Sequence, residues 1–313
     1  MKLLSLIKYI LLVTFSVLFF DNIVSYTFES IIGNRYDKVL SSTYQAKSEV
    51  AVLGASRALH HYIPKIIQDS LHMTVTNYGI DGQNIFVHFV VLKSLLEHSL
   101  QKPKIVILEL SAIDVNDTPK WNEEKLSLLY PYFRSENYVQ VVLEDLVDSK
   151  EYYFLRMFGL YRHNSKFHIY LKNILFGFPL GDDGYHPLYN RWKQNVGVSK
   201  EHGERIHNKK VSYIKEIIRL CRKENILLFF STSPNYTILP DQKWVAEVRN
   251  ISQRYNIPYL YFEQDNIFLK NRELFNDPFH LNDLGAHIYT SQFCHELCKY
   301  LKFKRRETVN SPF

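Results

Sequence analysis

The sequence of 313 residues contains little cysteine, little glycine and no Cys/His pattern with the spacing of zinc ligands. Its 3 cysteines are too few for the disulfide framework of a small secreted domain. We therefore expect neither a metal ion nor another cofactor. The net charge of +6 is modest and spread along the chain, and no nucleic-acid motif accompanies the basic run "KFKRRE" near the C-terminus. A nucleic-acid partner is therefore not expected.

The N-terminus carries a long apolar run. Lys2 and Lys8 precede or flank it, and Asp21 is the first acidic residue. A spanning helix needs about 20 mostly apolar residues, which residues 3–20 nearly supply. No small-x-small cleavage site follows, so the pattern favours an uncleaved anchor over residues 1–28. Its lysines predict a cytoplasmic N-terminus, a single pass through the cell membrane and a periplasmic or extracellular remainder. A cleaved signal peptide and a buried helix of a soluble protein are the alternatives.

Strand-like and helix-like segments alternate in the rest of the chain, which we treat as one domain over residues 29–313. After a polar connector to residue 48, the segments predicted as strands are "SEVAVLGAS", "MTVTNYG", "KIVILELS", "ILLFFSTSP" and "PYLYF". Helical spacing follows Ser56 and recurs near residues 83–99, 209–224, 242–255 and 284–301. This order predicts an α/β fold with a doubly wound parallel sheet of five strands. Residues 115–208 interrupt the alternation and predict a mostly helical insertion.

Three loops that leave the predicted strands carry residues suited to acyl chemistry. Ser56 follows "VLGA", Gly82 lies in "NYGIDGQN", and Asp277 and His280 lie three residues apart in "NDPFHLNDLGAH". Parallel strands bring such loops to one edge of a sheet. Asp277 is then able to orient the imidazole of His280, which is able to take a proton from Ser56. The backbone N–H of Gly82, which has no side chain in the way, suits a developing oxyanion.

These segments resemble three sequence blocks of the SGNH/GDSL hydrolase superfamily: "GAS" resembles block I, "NYGIDG" block II and "DPFHL" block V. The resemblance implies a flavodoxin-like SGNH hydrolase fold. It also implies Ser56 as nucleophile, His280 as general base and Asp277 as the orienting acid. The backbone N–H groups of Ser56 and Gly82 would form the oxyanion hole.

The resemblance covers residues 48–114 and 205–302 and fails at one block. Block III of the family usually reads Gly-x-Asn-Asp, and its asparagine is an oxyanion donor. This chain has "ELSAIDVND" there, with Ser111 and Ile113 near the family positions. The asparagine is thus absent, or replaced by Ser111, Asn116 or a residue of the insertion.

The membrane-anchored, atypical branches of the superfamily are the most similar: the DltD-like proteins of teichoic-acid D-alanylation and the alginate O-acetylation proteins. They combine an N-terminal anchor, an exported SGNH domain and altered central blocks. This resemblance implies a substrate among acyl esters, above all acetyl esters, of cell-envelope or exported polysaccharide or another acylated carbohydrate.

Four further residues are candidates for binding substrate. Arg57 either holds an acidic group of the substrate or pairs with Glu109 or another carboxylate, and we favour the pairing. Arg162, His163 and Asn164 in "GLYRHNS" either contact a sugar or supply the missing donor. The alternative for this trio is the solvated end of a capped helix.

The sequence therefore predicts a serine ester hydrolase or O-acyltransferase. A second hypothesis is a catalytically impaired protein with the same fold that binds or assembles polysaccharide. A third is a protein that serves a multi-spanning membrane acyltransferase, which would deliver acyl groups across the membrane.

Overall fold

The structure is a computed structural model that describes residues 2–32, 38–117, 126–163, 166–176, 183–192, 205–236, 243–263 and 265–310. The chain divides into two compact units. The first unit is Met1–Ser41 with Lys120–Leu180, and the second is Ser42–Pro119 with Gly181–Phe313. The predicted division into an anchor over residues 1–28 and a domain over residues 29–313 stays a prediction. Asn164 lies outside the described residues.

A parallel sheet forms the centre of the second unit and has five strands within the described residues. Their order, β2-β1-β3-β4-β5, is the flavodoxin-like order. The strands are β1 Val50–Leu53, β2 Val75–Asn77, β3 Ile105–Glu109, β4 Leu227–Thr232 and β5 Tyr259–Tyr261. Every residue of β1 and β3 is buried, as expected for strands covered by helices on both faces. The predicted fold class is confirmed.

Helices of the second unit pack in two groups. The helix Asp283–Asn310 packs on the two short helices that follow β1, and the helix Asn208–Lys223 packs on the helix that follows β2. In chain order, the helices that follow β1 within the second unit are α3 Ser56–His61, α4 Pro64–Leu71, α5 Ile85–His98, α9 Asn208–Lys223, α10 Lys243–Tyr255, α11 Asn266–Lys270 and α12 Asp283–Asn310, and α6 to α8 belong to the first unit. Short 3-10 helices lie at Ala112–Asp114 and Arg272–Leu274.

The helical segment predicted after Ser56 is broken in the structure. Tyr62 and Ile63 are extended between α3 and α4, with ψ angles of 114° and 107°. Pro64 explains the break, because a proline disfavours the helical conformation of the residue before it and is itself favoured at a helix start.

The first unit is helical in the part that the structure describes. Its helix α1 is long and apolar enough to cross a membrane over residues Leu3–Ser30, which fits either an anchor or a signal sequence. The helices outside the sheet-bearing core are α1 Lys2–Ile32, α2 Lys38–Thr43, α6 Asn137–Leu146, α7 Ser149–Met157 and α8 Phe167–Phe176, with 3-10 helices at Tyr130–Tyr132 and Leu160–His163. The connector predicted over residues 29–48 is therefore partly helical. Residues 126–176 are mostly helical as predicted, whereas residues 183–192 contain no helix.

Candidate active site

The carboxyl ends of β1, β3 and β4 lie side by side. Leu53 pairs with Leu108, and Glu109 pairs with Ser231. In the order β2-β1-β3-β4-β5, the connection that leaves β1 runs to one side of the sheet, and the connection that leaves β3 runs to the other side. Folds of this kind bind their ligands at the carboxyl ends of the strands beside this point. Ser56 follows β1 at this place.

Gly54 makes the turn after β1 possible. A Cβ atom at this position would lie 2.8 Å from the Cβ atoms of both Ala58 and Glu109, so a larger residue would collide with them. The chain turns directly into α3, whose first residue is Ser56. The serine is partly exposed while its neighbours Ala55 and Arg57 are buried, so its hydroxyl lies at the surface of a rigid turn.

Ser56, His280 and Asp277 form one hydrogen-bonded array. The Oγ atom of Ser56 lies 2.7 Å from Nε2 of His280. The Nδ1 atom of His280 lies 2.9 Å from each carboxylate oxygen of Asp277. A carboxylate only accepts hydrogen bonds, so Nδ1 carries the proton of the neutral ring and Nε2 accepts from the Ser56 hydroxyl. Two distant parts of the sequence are thus joined, the turn at Ser56 and the loop that carries Asp277 and His280.

Asp277 is held in its ionised form. Burial opposes ionisation, but the contact with His280 and hydrogen bonds from Phe279 N–H and the Asn276 amide outweigh it and lower the pKa of Asp277 to about 2. The side chains of His280 and Asp277 are 23% and 37% exposed, so a solute is able to reach the array.

A second chain of hydrogen bonds lies behind His280. Leu281 N–H donates to Nε2 of His61 at 2.9 Å, and Nδ1 of His61 lies 2.8 Å from Oγ of Ser233. The Ser233 hydroxyl donates to Oε1 of Glu109 at 2.9 Å. Because Nε2 accepts, Nδ1 must carry the proton, and the ring of His61 is neutral. Burial lowers the pKa of His61 well below its usual value, and the nearby His280 and Arg57 add to this effect.

Glu109 is the end of this chain and is itself enclosed. Its carboxylate accepts from the Tyr62 hydroxyl and from the backbone and hydroxyl of Ser233, and it lies 3.4 Å from Nε of Arg57. Burial raises the pKa of Glu109 to about 7, against the opposing effects of Arg57, Tyr62 and Ser233. The predicted pairing of Arg57 with Glu109 is confirmed. Arg57 also donates to two carbonyl oxygens at the strand ends, and its contact with a substrate stays a prediction.

His60 forms a further pair beside the array. Its Nε2 lies 3.1 Å from the carboxylate of Asp81, and its Nδ1 lies 2.6 Å from the carbonyl oxygen of His186. Both partners only accept, so with both bonds in place the ring is an imidazolium. Burial lowers the pKa of His60, but Asp81 and the His186 carbonyl outweigh burial and raise it. The rings of His60 and His280 are 5.6 Å apart, so the protonated form of His60 places a positive charge next to the array.

Gly82 directly follows Asp81 in this loop. Its φ of +64° is in the left-handed region, which glycine adopts without strain. The His60–Asp81 pair thus fixes the loop that carries Gly82 beside the helix that begins with Ser56. The role of the Gly82 N–H as an oxyanion donor stays a prediction.

Ser111 and Asn116 have structural contacts near the end of β3. The Ser111 hydroxyl donates to the Asp114 carboxylate at 3.0 Å and belongs to a capping box of the 3-10 helix Ala112–Asp114. Asn116 is buried and forms an isolated bridge with Ile206. Neither contact tests whether one of them replaces the block III asparagine.

Arg162 and His163 belong to the first unit. Both are buried, and both contact the Glu29 carboxylate of α1, at 3.2 Å and 3.4 Å. Arg162 also donates to the carbonyl oxygen of Leu155. The solvated helix end that we weighed as the alternative is wrong, because these side chains are enclosed by α1. Their contact with a substrate stays a prediction.

His60 and His61 were not recognised from the sequence as parts of the site, and Ser233, which lies at the end of a predicted strand near the site, was favoured as a turn residue before Pro234 over a residue that lines the pocket. The spacing of His60 held a signal, because it lies four residues after Ser56 and so on the same face of a helix. No such signal exists for His61 and Ser233, whose contact joins residues 172 positions apart.

No family model matches the chain, and a search of curated proteins finds no match. Among solved structures, the acetyl xylan esterase AlAXEase is similar over 80% of this chain and 98% of its own, with 12% identity and a TM-score of 0.40. A GDSL-like lipase from Bacteroides thetaiotaomicron VPI-5482 is similar over 85% of this chain and 99% of its own, with 10% identity and a TM-score of 0.39. At such identities and scores the likeness assigns no function.

Proposed function

We propose that the chain is a membrane-anchored, extracytoplasmic serine ester hydrolase or O-acyltransferase that forms an acyl-enzyme on Ser56. The observation that carries this proposal is the hydrogen-bonded array of Ser56, His280 and Asp277. Its substrates would be acyl esters, most simply acetyl esters, of cell-envelope or exported polysaccharide.

The array supports a complete acyl-transfer cycle. Nε2 of His280 takes the proton of Ser56 as Oγ attacks the acyl carbonyl carbon, and Asp277 stabilises the resulting imidazolium. The imidazolium then gives this proton to the leaving alkoxide, and the ester C–O bond breaks. Water or a sugar hydroxyl, deprotonated by Nε2 of His280, then attacks the acyl carbon of the acyl-enzyme. The bond between this carbon and Oγ breaks, and the imidazolium gives its proton to Oγ, which restores the Ser56 hydroxyl. Water as acceptor defines a hydrolase, and a sugar hydroxyl defines an O-acyltransferase.

Two backbone N–H groups, those of Ser56 and Gly82, would receive the negative charge of the carbonyl oxygen. A missing oxyanion donor typically costs about a hundredfold or more in rate, so the absent block III asparagine predicts a slow enzyme rather than an inactive one. A catalytically impaired protein that binds or assembles polysaccharide is the second candidate. The ordered donor and acceptor directions from Ser56 to Asp277 favour the enzyme, because binding alone needs no such relay.

The helix α1 supports placement of the enzyme at the cell membrane. With the lysines of its N-terminus in the cytoplasm, the second unit would lie in the periplasm or outside the cell. A multi-spanning membrane acyltransferase would be a suitable partner there, because it would supply the acyl group from the cytoplasmic side. The proposed transferase reaction would then pass that group through Ser56 to a polysaccharide.

The test uses the purified full chain in detergent. It should hydrolyse an activated acetyl ester and be labelled by a fluorophosphonate, and Ser56→Ala should abolish both. Ser70→Ala is the matched control, because Ser70 is an exposed serine of α4 whose hydroxyl donates to the carbonyl oxygen of Ile66. Transfer to an added glycan would reduce the release of acetate. Turnover that persists in Ser56→Ala would overturn the proposal, and glycan binding without turnover, unchanged in Ser56→Ala, would favour the second candidate.

A further inference from the structure

The C-terminal part of α1 has two different faces. Asp21 and Ser25 are buried and Glu29 is largely buried, and their spacing of four residues places them on one side of the helix. Ile23 and Val24 on other faces are 46% and 47% exposed, and Tyr26 is 64% exposed. Over residues 21–29, α1 is therefore covered by protein on one side and exposes apolar side chains on the other.

The polar side of α1 is covered by the segment around residues 159–163. The Asp21 carboxylate accepts from Gly159 N–H and Leu160 N–H, at 2.5 Å and 3.1 Å. Arg162 pairs with Glu29 at 3.2 Å. These charge-assisted hydrogen bonds hold the segment at one position along α1, and they satisfy the Asp21 carboxylate without water.

The helix α8 packs on the same part of α1. The ring of Phe28 lies 4.9 Å from that of Phe167 and 5.4 Å from that of Tyr170. Tyr170 is the buried member among the α8 side chains that the structure describes. In the described part of α8, five large apolar side chains are 41–80% exposed: Phe167, Ile169, Leu171, Leu175 and Phe176.

Such a surface is unusual for a helix in water, because contiguous exposed apolar patches mark sites of contact. Ten residues form a helix of about 15 Å, which is too short to cross a hydrocarbon core of about 30 Å. A helix that is too short to span and too apolar for water fits the plane between lipid headgroups and acyl chains.

The position of α8 along α1 and the charge of α8 both indicate the headgroup region of a bilayer. The apolar stretch of α1 over residues 3–26 is about 36 Å long, so its C-terminal end extends beyond the hydrocarbon core into the headgroup region. Phe28, on which α8 packs, lies just past this end. Residues 166–176 contain no acidic residue, and His168 and Lys172 are exposed, which suits anionic headgroups.

We infer that α8 lies in the interface of the same bilayer that α1 spans and forms a second attachment to an anionic lipid surface. This inference rests on the membrane anchor in the proposed function. The helix α7 of the same unit also carries exposed apolar side chains, since its Tyr153, Phe154 and Met157 are 49–59% exposed. Two attachments restrict the rotation of the first unit about α1, which a single helix would leave free.

The test measures the depth of single spin labels on the full chain in vesicles of phosphatidylcholine and phosphatidylglycerol. Cys298→Ser removes the partly exposed cysteine, and Cys221 and Cys294 are buried. Labels replace Leu171 and Leu175 in α8, Val13 in α1, and Leu100 in the second unit. Leu100 is the matched control for Leu175, because both side chains are 64% exposed.

We expect labels at positions 171 and 175, like the label at position 13, to collide more often with oxygen, which enriches in lipid, than with a water-soluble nickel chelate. The label at position 100 should collide more often with the nickel chelate. Preference for nickel at 171 and 175, with 13 in lipid, would overturn the inference and leave the anchor intact. Preference for nickel at 13 would overturn the anchor itself. Protection from both agents at 171 and 175 would indicate a protein partner and would also overturn the inference. None of these measurements depends on ester hydrolysis.

Discussion

Nε2 of His61 accepts a hydrogen bond from the backbone N–H of Leu281, the residue directly after His280, at 2.9 Å. His61 in turn contacts Ser233, which donates to the buried Glu109. The loop that carries the proposed general base is therefore attached to the ends of β3 and β4 through a buried ring. His61 touches no reacting atom, so it acts on the proposed reaction only through the position of His280.

This relationship predicts the effect of His61→Phe. Phenylalanine has no acceptor for Leu281 N–H, so the His280 loop should lose its fixed position. We expect kcat for an activated acetyl ester to fall about tenfold to a hundredfold with little change in KM, consistent with the cost of small misplacements in active sites. His61→Gln, which offers both an acceptor and a donor, should restore part of kcat. Equal kcat in His61→Phe and the unchanged chain would contradict the positioning role.

Asp277→Asn tests the orientation of His280. An amide is able to donate to Nδ1, which would favour the tautomer with the proton on Nε2, the wrong form for accepting from Ser56. In a Ser-His-Asp relay, this change lowers kcat on the order of 10⁴-fold. Steady-state kinetics measures it, and Asn276→Ala is the control, since it removes only a neighbouring donor to Asp277. A loss below about tenfold in Asp277→Asn would argue against the relay.

Glu109 should make stability depend on pH. Burial raises its pKa to about 7 in the folded chain from the 4.5 of an ordinary glutamate carboxyl, so the folded state retains a proton that the unfolded state loses. The free energy of unfolding should therefore fall as pH rises from about 4.5 to 7, by roughly 3 kcal/mol from this group. Urea unfolding across this range measures the slope.

The control for this pH effect is Glu109→Gln. Glutamine does not titrate, so the slope between pH 4.5 and 7 should become shallower by this contribution. A slope that is unchanged in Glu109→Gln would exclude Glu109 as its source.

The His60–Asp81 pair predicts an alkaline loss of order in the Gly82 loop. The raised pKa of His60 means that this contact stabilises the loop at low pH and weakens as pH rises through that pKa. Charged or titratable groups near His60 are Asp81, Asp277, His61 and His280. Asp81→Asn should shift the titration of His60, followed by NMR, to lower pH, and the alkaline fall of kcat/KM should shift with it. A titration that is unmoved in Asp81→Asn would show that the two groups are not coupled.

Ser111→Ala distinguishes a cap from an oxyanion donor. The capping box with Asp114 predicts a loss of stability of about 0.5–2 kcal/mol and little change in kcat. If the Ser111 hydroxyl replaces the block III asparagine, kcat should instead fall about a hundredfold. Thermal unfolding and ester hydrolysis measured on the same preparation separate the two outcomes.

The main features of the second unit were predictable because they depend on local patterns. Continuous apolar runs such as "VAVL" and "IVILE" indicate strands covered on both faces, and these strands formed the predicted parallel sheet. The break before Pro64 was missed, although the proline carries the signal for it. The proximity of Ser56, Asp277 and His280 was expected because parallel strands bring their loops to one edge.

By itself the sequence determined the five strands, the apolar N-terminal helix and the set of side chains able to form the array, because these follow from hydrophobic periodicity and residue type. Only the tertiary structure decided that Glu29 pairs with the buried Arg162 and His163, and that His61 accepts a hydrogen bond from Leu281 N–H. The reason is physical: a buried polar group needs a partner of matching geometry, and that partner is chosen by packing between distant segments, which no local spacing encodes.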